Sequence, residues 1–166
     1  MIRDATLFIV TILIFVIFNV MIYQKQQILK SGDSIYFAIE PADPRSLMQG
    51  DYMTFRYVLE EDLKKNDSRP QSNQGYIVIV PDENKIGQFA RFYSGEKLGP
   101  HEKLLQYRYH PSRFSPYLIK PHTFFFQEKR QPDLQEAKFA VFHYQGNKNY
   151  LLTGLANKDK NIISGK

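Results

Sequence analysis

The sequence predicts an all-β domain, an antiparallel barrel or sandwich of about eight short strands, behind one N-terminal transmembrane α-helix. Three observations predict it. Ala5 to Tyr23, ATLFIVTILIFVIFNVMIY, runs nineteen residues without a charge. Beyond Ser31 the apolar residues recur with a period of two rather than 3.6. Short apolar runs are separated by Gly, Pro, Asn and Asp at regular intervals, the punctuation of strands joined by turns.

The helix comes first. At ~1.5 Å per residue the apolar stretch covers about 28 Å, close to the hydrocarbon thickness of a bilayer. Thr6, Thr11 and Asn19 are its only polar interruptions. An export signal is the competing reading, but Asn19-Val-Met-Ile-Tyr-Gln-Lys offers no A-x-A-like cleavage site. The expectation is a retained anchor over residues 1–30, with its span at about 5–23 and a juxtamembrane stalk after it. Tyr23 is the interfacial aromatic, with Lys25 and Lys30 just beyond. Gln24 to Ser31 is polar and extends the helix into water until Gly32 stops it. Arg3 on one flank and the two lysines on the other leave the orientation unsettled by charge.

Residues 31–166 are long enough for one domain with its own core. Once Arg3, Lys25, Lys30 and Asp4 are set aside with the anchor, 19 Lys/Arg stand against 16 Asp/Glu. That excess is mild and scattered, without the basic stripe of a nucleic-acid binder; near the anchor it favours anionic lipid weakly. The chain has no cysteine, so disulfide and thiolate chemistry are excluded.

Strands follow in order. Ile35, Phe37 and Ile39 alternate with Tyr36, Ala38 and Glu40 up to Pro41. Met53, Phe55, Tyr57 and Leu59 alternate with Tyr52, Thr54, Arg56 and Val58. Tyr76 to Val80 suits a central strand, and after the turn Pro81-Asp82-Glu83-Asn84 it finds a hairpin partner in Gln88 to Tyr93. Leu104 to Tyr109, Thr123 to Gln127, Phe139 to Tyr144 and Tyr150 to Thr153 complete the eight. Two segments break the pattern. Glu60 to Gln74 is polar, either a long mobile loop or a frayed helical turn around Leu63. Pro132 to Lys138 reads as one helical turn.

Little in the sequence assembles chemistry. His101, His110, His122 and His143 show no H-x-x-x-H pair and no carboxylate cluster, so no metal site and no cofactor are expected. Ser94-Gly95-Glu96-Lys97 matches S-x-x-K formally, but Gly95 and Gly99-Pro100 place it in a turn rather than at a helix start. Ser46 ahead of Gly50-Asp51 is superficially similar to membrane-anchored serine peptidases, yet the spacing is too short, the usual residues around the nucleophile are missing and no lysine base sits in a comparable later strand. Glu40, Asp43 and Asp51 are acids at a turn, where carboxylates ordinarily accept backbone N–H groups. In that turn Asp43 and Pro44 hold the first two positions, Gly50 leads into the next strand, and Arg45 and Asp51 are near enough to pair. Tyr52 and Tyr57 lie five residues apart, hence on opposite faces of a strand, and at most one faces the core.

Gly50-Asp51-Tyr52-Met53-Thr54-Phe55-Arg56-Tyr57 resembles the signature of the GDYXXLXY protein family, with Phe55 where the family has leucine. Asp43-Pro44-Arg45-Ser46-Leu47 is similar to the stretch just upstream. Phe124-Phe125-Phe126-Gln127-Glu128, Glu136-Ala137-Lys138-Phe139 and Leu151-Leu152-Thr153-Gly154-Leu155 are similar to its C-terminal half, with Lys129 in place of a glycine. The resemblance implies a bacterial protein held in the inner membrane by a single span, with its domain on the periplasmic side. It implies association with multi-spanning membrane proteins and no enzymatic activity. Two functions follow as expectations. One is a non-enzymatic envelope module that contacts a membrane partner or ligand through Arg45, Asp51, Tyr52, Tyr57 and Glu128, with membrane lipid met by the helix. The other is an envelope hydrolase using Asp51 or Glu128 as acid or base, with Arg45 holding the substrate.

Overall fold

The structure, a computed structural model, describes residues 2–41, 52–66, 72–111, 115–125 and 136–164. Helix α1 (Ile2–Ser31) carries no charge from Ala5 to Tyr23, and its side chains from Thr6 to Tyr23 are exposed. It is long and apolar enough to cross a membrane. Its polar interruptions are satisfied within the helix, as hydrocarbon requires. Thr11 Oγ1 donates to the Leu7 carbonyl at 2.9 Å, and Asn19 Nδ2 donates to the Phe15 carbonyl at 2.8 Å. The helix runs on without a break through the polar segment to Ser31, where the Gly32 N–H donates to the Ile28 carbonyl at 3.0 Å. The stalk is therefore the last turns of α1. Its Ile28 is buried, and this end of the helix packs on β8 (Phe139–Gln145) and β9 (Asn149–Ala156).

Beyond the helix the described residues form two antiparallel sheets, as the period of two predicts. The larger takes the order β10-β9-β8-β1-β2-β7, and the smaller β4-β3-β5-β6. Strand β1 is Asp33–Pro41, β2 Tyr52–Tyr57, β3 Gln74–Pro81, β4 Gly87–Phe92 and β5 Lys103–Tyr109. Strand β6 is Tyr117–Ile119, β7 Thr123–Phe125 and β10 Ile162–Ser164. Seven of the eight expected strands lie within a few residues of their expected bounds, and the eighth, β7, starts as expected at Thr123. Two strands, β6 and β10, are additional.

The inward residues of both sheets make one core. Ile35, Phe37 and Ile39 from β1 and Met53, Phe55 and Tyr57 from β2 meet Ile77 and Ile79 from β3, Leu105 from β5 and Phe142 from β8. Aromatic rings dominate it. Phe37 is edge-on to Phe142 at 5.1 Å, and Phe55 is edge-on to Tyr57 at 5.4 Å, geometries worth roughly 0.5–1.5 kcal/mol each beyond the area they bury. The sheets are also tied by hydrogen bonds. The Leu104 N–H donates to the Asn147 carbonyl at 2.7 Å, and the Tyr36 N–H donates to the Lys85 carbonyl at 2.9 Å. Buried Lys103 reaches the Gly146 carbonyl at 2.9 Å and Asp33 at 3.4 Å.

One expectation is corrected in part. Of the two readings of the segment after β2, the helical one around Leu63 fits: Leu59–Lys65 forms helix α2, ordered rather than frayed, with Leu63 fully buried; residues 67–71 lie outside the described residues. Leu59 is buried too, as the first residue of this helix rather than the last of a strand.

Candidate functional site

The motif strand β2 divides its residues cleanly. Met53, Phe55 and Tyr57 point into the core, while Tyr52 and Arg56 are exposed. The two motif tyrosines therefore do different things, as their odd spacing requires. Tyr52 is 45% exposed and its ring lies 6.2 Å from that of Phe125, which is 74% exposed on the edge strand β7. Tyr57 is 1% exposed, so it is a core residue and not a surface contact. Its hydroxyl donates to the Pro121 carbonyl, fixing β2 to the connection between β6 and β7. Burial, reinforced by the Glu60 charge, pushes its phenol well above the usual range. Arg45, Asp51 and Glu128 lie outside the described residues, as do the turn at Pro44, Gly50 and the start of the expected helical turn at Pro132.

Where the motif ends, a cleft begins. Val58 turns the chain from β2 into α2, whose first turn carries Glu60, Glu61 and Asp62 and whose last carries Lys64 and Lys65. That order complements the helix dipole. Leu59 and Leu63, four residues apart, share the face that enters the core. Glu60 is 4% exposed, and its Oε1 accepts the Ile119 N–H at 2.9 Å, joining α2 to β6. The other oxygen, Oε2, is buried without a hydrogen-bond partner among the described residues. A buried acceptor left in this way favours the neutral acid. The carboxyl is accordingly pushed from 4.5 up to about 7 by burial, against the opposing pull of the Ile119 N–H, the Arg56 guanidinium and the Tyr57 backbone.

Glu60 lines a cleft of about 450 Å³, with Arg56 and Tyr57 of the motif strand on one side and Lys65, Glu61 and Ser115 around it. Its rim carries both signs of charge. The arrangement can take a polar group that pairs with the charges at the rim.

Other candidate chemistry is occupied. Ser94 Oγ donates to Glu96 Oε2 at 2.9 Å, within the turn that the sequence indicates. Glu96 and Glu102 both hold Arg91, Glu102 through two hydrogen bonds. Both carboxyls are lowered to about 2, Glu102 chiefly by Arg91 and Glu96 chiefly by backbone N–H groups, while the arginine is raised further by Glu102. The His143 ring sits between Ser34 Oγ at 3.2 Å and Thr153 Oγ1 at 2.8 Å, and burial lowers it below 6.5. No three His, Asp or Glu side chains gather into a metal-binding group among the described residues.

Sequence reasoning missed Glu60 as a site residue, reading it as the start of a polar segment that is either a loop or a helical turn around Leu63. The available signal was the pair Leu59 and Leu63 with acids between them and lysines after, the charge order of a short helix. No curated protein and no solved structure matches the chain. The model of the GDYXXLXY protein family does match it over residues 14–155, from the middle of α1 to the end of β9, and the chain belongs to that family.

Proposed function

We propose that this protein is a non-enzymatic binding or assembly module, anchored in the bacterial inner membrane by α1 with its β domain on the periplasmic side. Its ligand or multi-spanning membrane partner enters the cleft behind the motif strand. One observation carries this reading: a cleft that Arg56 and Tyr57 of the motif strand line together with Glu60. The motif thus serves two purposes at once, filling the core with alternate residues and shaping a polar recess at its end. Tyr52 and Phe125 offer an aromatic contact at the other end of the same strand, and Arg45, Asp51 and Glu128 belong to the same proposed surface by sequence.

The test is photocrosslinking and pull-down of the tagged full-length protein from native membranes, wild type against Glu60→Gln. Glutamine keeps an acceptor for Ile119 and presents a donor in place of Oε2. Loss of a specific partner with the folded variant is the expected result, and unchanged recovery rejects the cleft.

A second reading, an envelope hydrolase, has one observation in its favour. A carboxyl near 7 beside a guanidinium is suited to general acid–base work, and Glu60 would then stand where the sequence offered Asp51 or Glu128. Turnover of a cell-wall polymer, abolished by Glu60→Gln with partner recovery intact, would select this reading over binding.

A further inference from the structure

The apolar stretch of α1 closes at Tyr23, and Lys25 stands two residues, or about 3 Å of helix, beyond it. With α1 in a membrane this is the headgroup layer, the level at which interfacial tyrosine and lysine sit. The β domain reaches down to that level. Lys25 forms one wall of a cleft of about 460 Å³ whose other cations are Lys120, between β6 and β7, and Lys148, in the β8–β9 turn. No carboxylate lines this cleft, and none of the three lysines is ion-paired among the described residues.

The cleft is built on a fixed floor. The Tyr150 hydroxyl accepts the Gln106 N–H at 3.1 Å and donates to the Lys120 carbonyl at 3.3 Å, so β5, β9 and the β6–β7 connection are tied beneath it. Lys148 Nζ lies 4.8 Å from the centre of the Tyr76 ring, which holds it at the rim. Upstream, burial of Ile28 against β8 and β9 sets how far the domain can rise from the helix.

Three ammonium groups drawn from distant parts of the chain around one recess repel one another, and an anion between them removes that cost. At this depth the abundant anion is lipid phosphate. We propose that the cleft of Lys25, Lys120 and Lys148 binds the phosphate of an anionic phospholipid headgroup. The bound lipid seats the β domain on the bilayer and fixes its orientation. The proposal is independent of the Glu60 cleft, and requires only that α1 span the membrane.

The test is native mass spectrometry of the full-length protein in mild detergent, with equimolar phosphatidylglycerol or phosphatidylcholine added. Wild type retains phosphatidylglycerol preferentially. Each lysine near an anionic surface contributes about fivefold in affinity, so the Lys25→Gln, Lys120→Gln, Lys148→Gln triple variant should retain at least about tenfold less. The corresponding Lys→Arg triple variant keeps the charges and should bind as wild type does, as should a control with Lys97→Gln, Lys138→Gln and Lys158→Gln. Circular dichroism verifies that each variant is folded. The proposal is overturned if the folded glutamine variant retains as much phosphatidylglycerol as wild type or, should that variant not fold, if the arginine variant shows no preference for phosphatidylglycerol over phosphatidylcholine. It is equally overturned if the control loses as much lipid, or if millimolar inorganic phosphate displaces the lipid from wild type.

Discussion

Replacing Glu60 with glutamine should change how stability depends on pH, and the direction follows from the geometry. The carboxyl titrates at about 7 in the folded chain and at 4.5 when unfolded. Between those values the folded state holds a proton that the unfolded chain has released. Stability therefore falls as pH rises from about 4.5 to about 7, and stays at the lower level above. At about 1.4 kcal/mol per tenfold, the full fall is roughly 3 kcal/mol. Glutamine does not titrate and keeps an acceptor for the Ile119 N–H. Near pH 4.5 the variant and wild type should have similar stability, and at pH 8 the variant should be the more stable by up to roughly 3 kcal/mol. Other groups move differently. His143 is lowered by burial, so its contribution is present above 6.5 and lost as pH falls below that value. Glu96 and Glu102, lowered to about 2, lose theirs as pH falls from 4.5 toward 2. Both effects cancel in the difference between the two chains. Urea denaturation of the full-length protein in detergent, followed by circular dichroism at pH 5 and pH 8, measures that difference. Parallel wild-type and variant curves would refute the assignment of a raised Glu60.

Three further outcomes are expected. Tyr57→Phe removes the hydroxyl that the Pro121 carbonyl accepts, and should cost about 1–2 kcal/mol in the same denaturation assay. Gly87→Ala places a methyl 2.3 Å from Cε1 of the fully buried Phe37 ring, so overpacking of about 1–3 kcal/mol should appear as a lowered urea midpoint. Tyr52→Ala removes an exposed ring; its stability should stay within about 1 kcal/mol of wild type while crosslinking of the motif surface to its partner falls.

The strands that could be read from the sequence were those long enough to display their period. Ile35, Phe37 and Ile39 announce β1 because three apolar residues on one face are already a pattern, and Met53, Phe55 and Tyr57 do the same for β2. Tyr117–Ile119 and Ile162–Ser164 have three residues each, too few to show alternation. Helix α2 was open as one of two readings, and its start was misplaced because Leu59 continues the alternation of β2 and so reads as strand. The division of labour between Tyr52 and Tyr57 was legible from parity alone. Glu60 was not, since its environment is set by Ile119, fifty-nine residues later, whose N–H it accepts. The same holds for Lys25, Lys120 and Lys148, which share a cleft only after two sheets and a helix have packed. Local pattern specifies elements; buried charge and clustered charge are products of tertiary assembly.

The junction between anchor and domain decides whether the two clefts have fixed positions relative to a bilayer. A side chain at Gly32 would place its Cβ 2.4 Å from the Ile28 carbonyl oxygen and 3.1 Å from both His143 Cβ and the Tyr144 carbonyl oxygen. Only glycine lets the end of α1 lie this close to β8 before the chain turns into β1, which pairs with β8 from Asp33 onward. Gly32→Ala should therefore force α1 and β8 apart and expose Ile28 while leaving the two-sheet core intact. Hydrogen exchange of the full-length protein in lipid nanodiscs should show faster exchange over residues 28–32 and unchanged protection in β3 and β5. Since Lys25 shares its cleft with residues of the β domain, the same variant should also weaken retention of phosphatidylglycerol. If protection at 28–32 is unaltered, the close approach does not hold the domain to its anchor. The orientation of the domain would then have to come from the lipid alone.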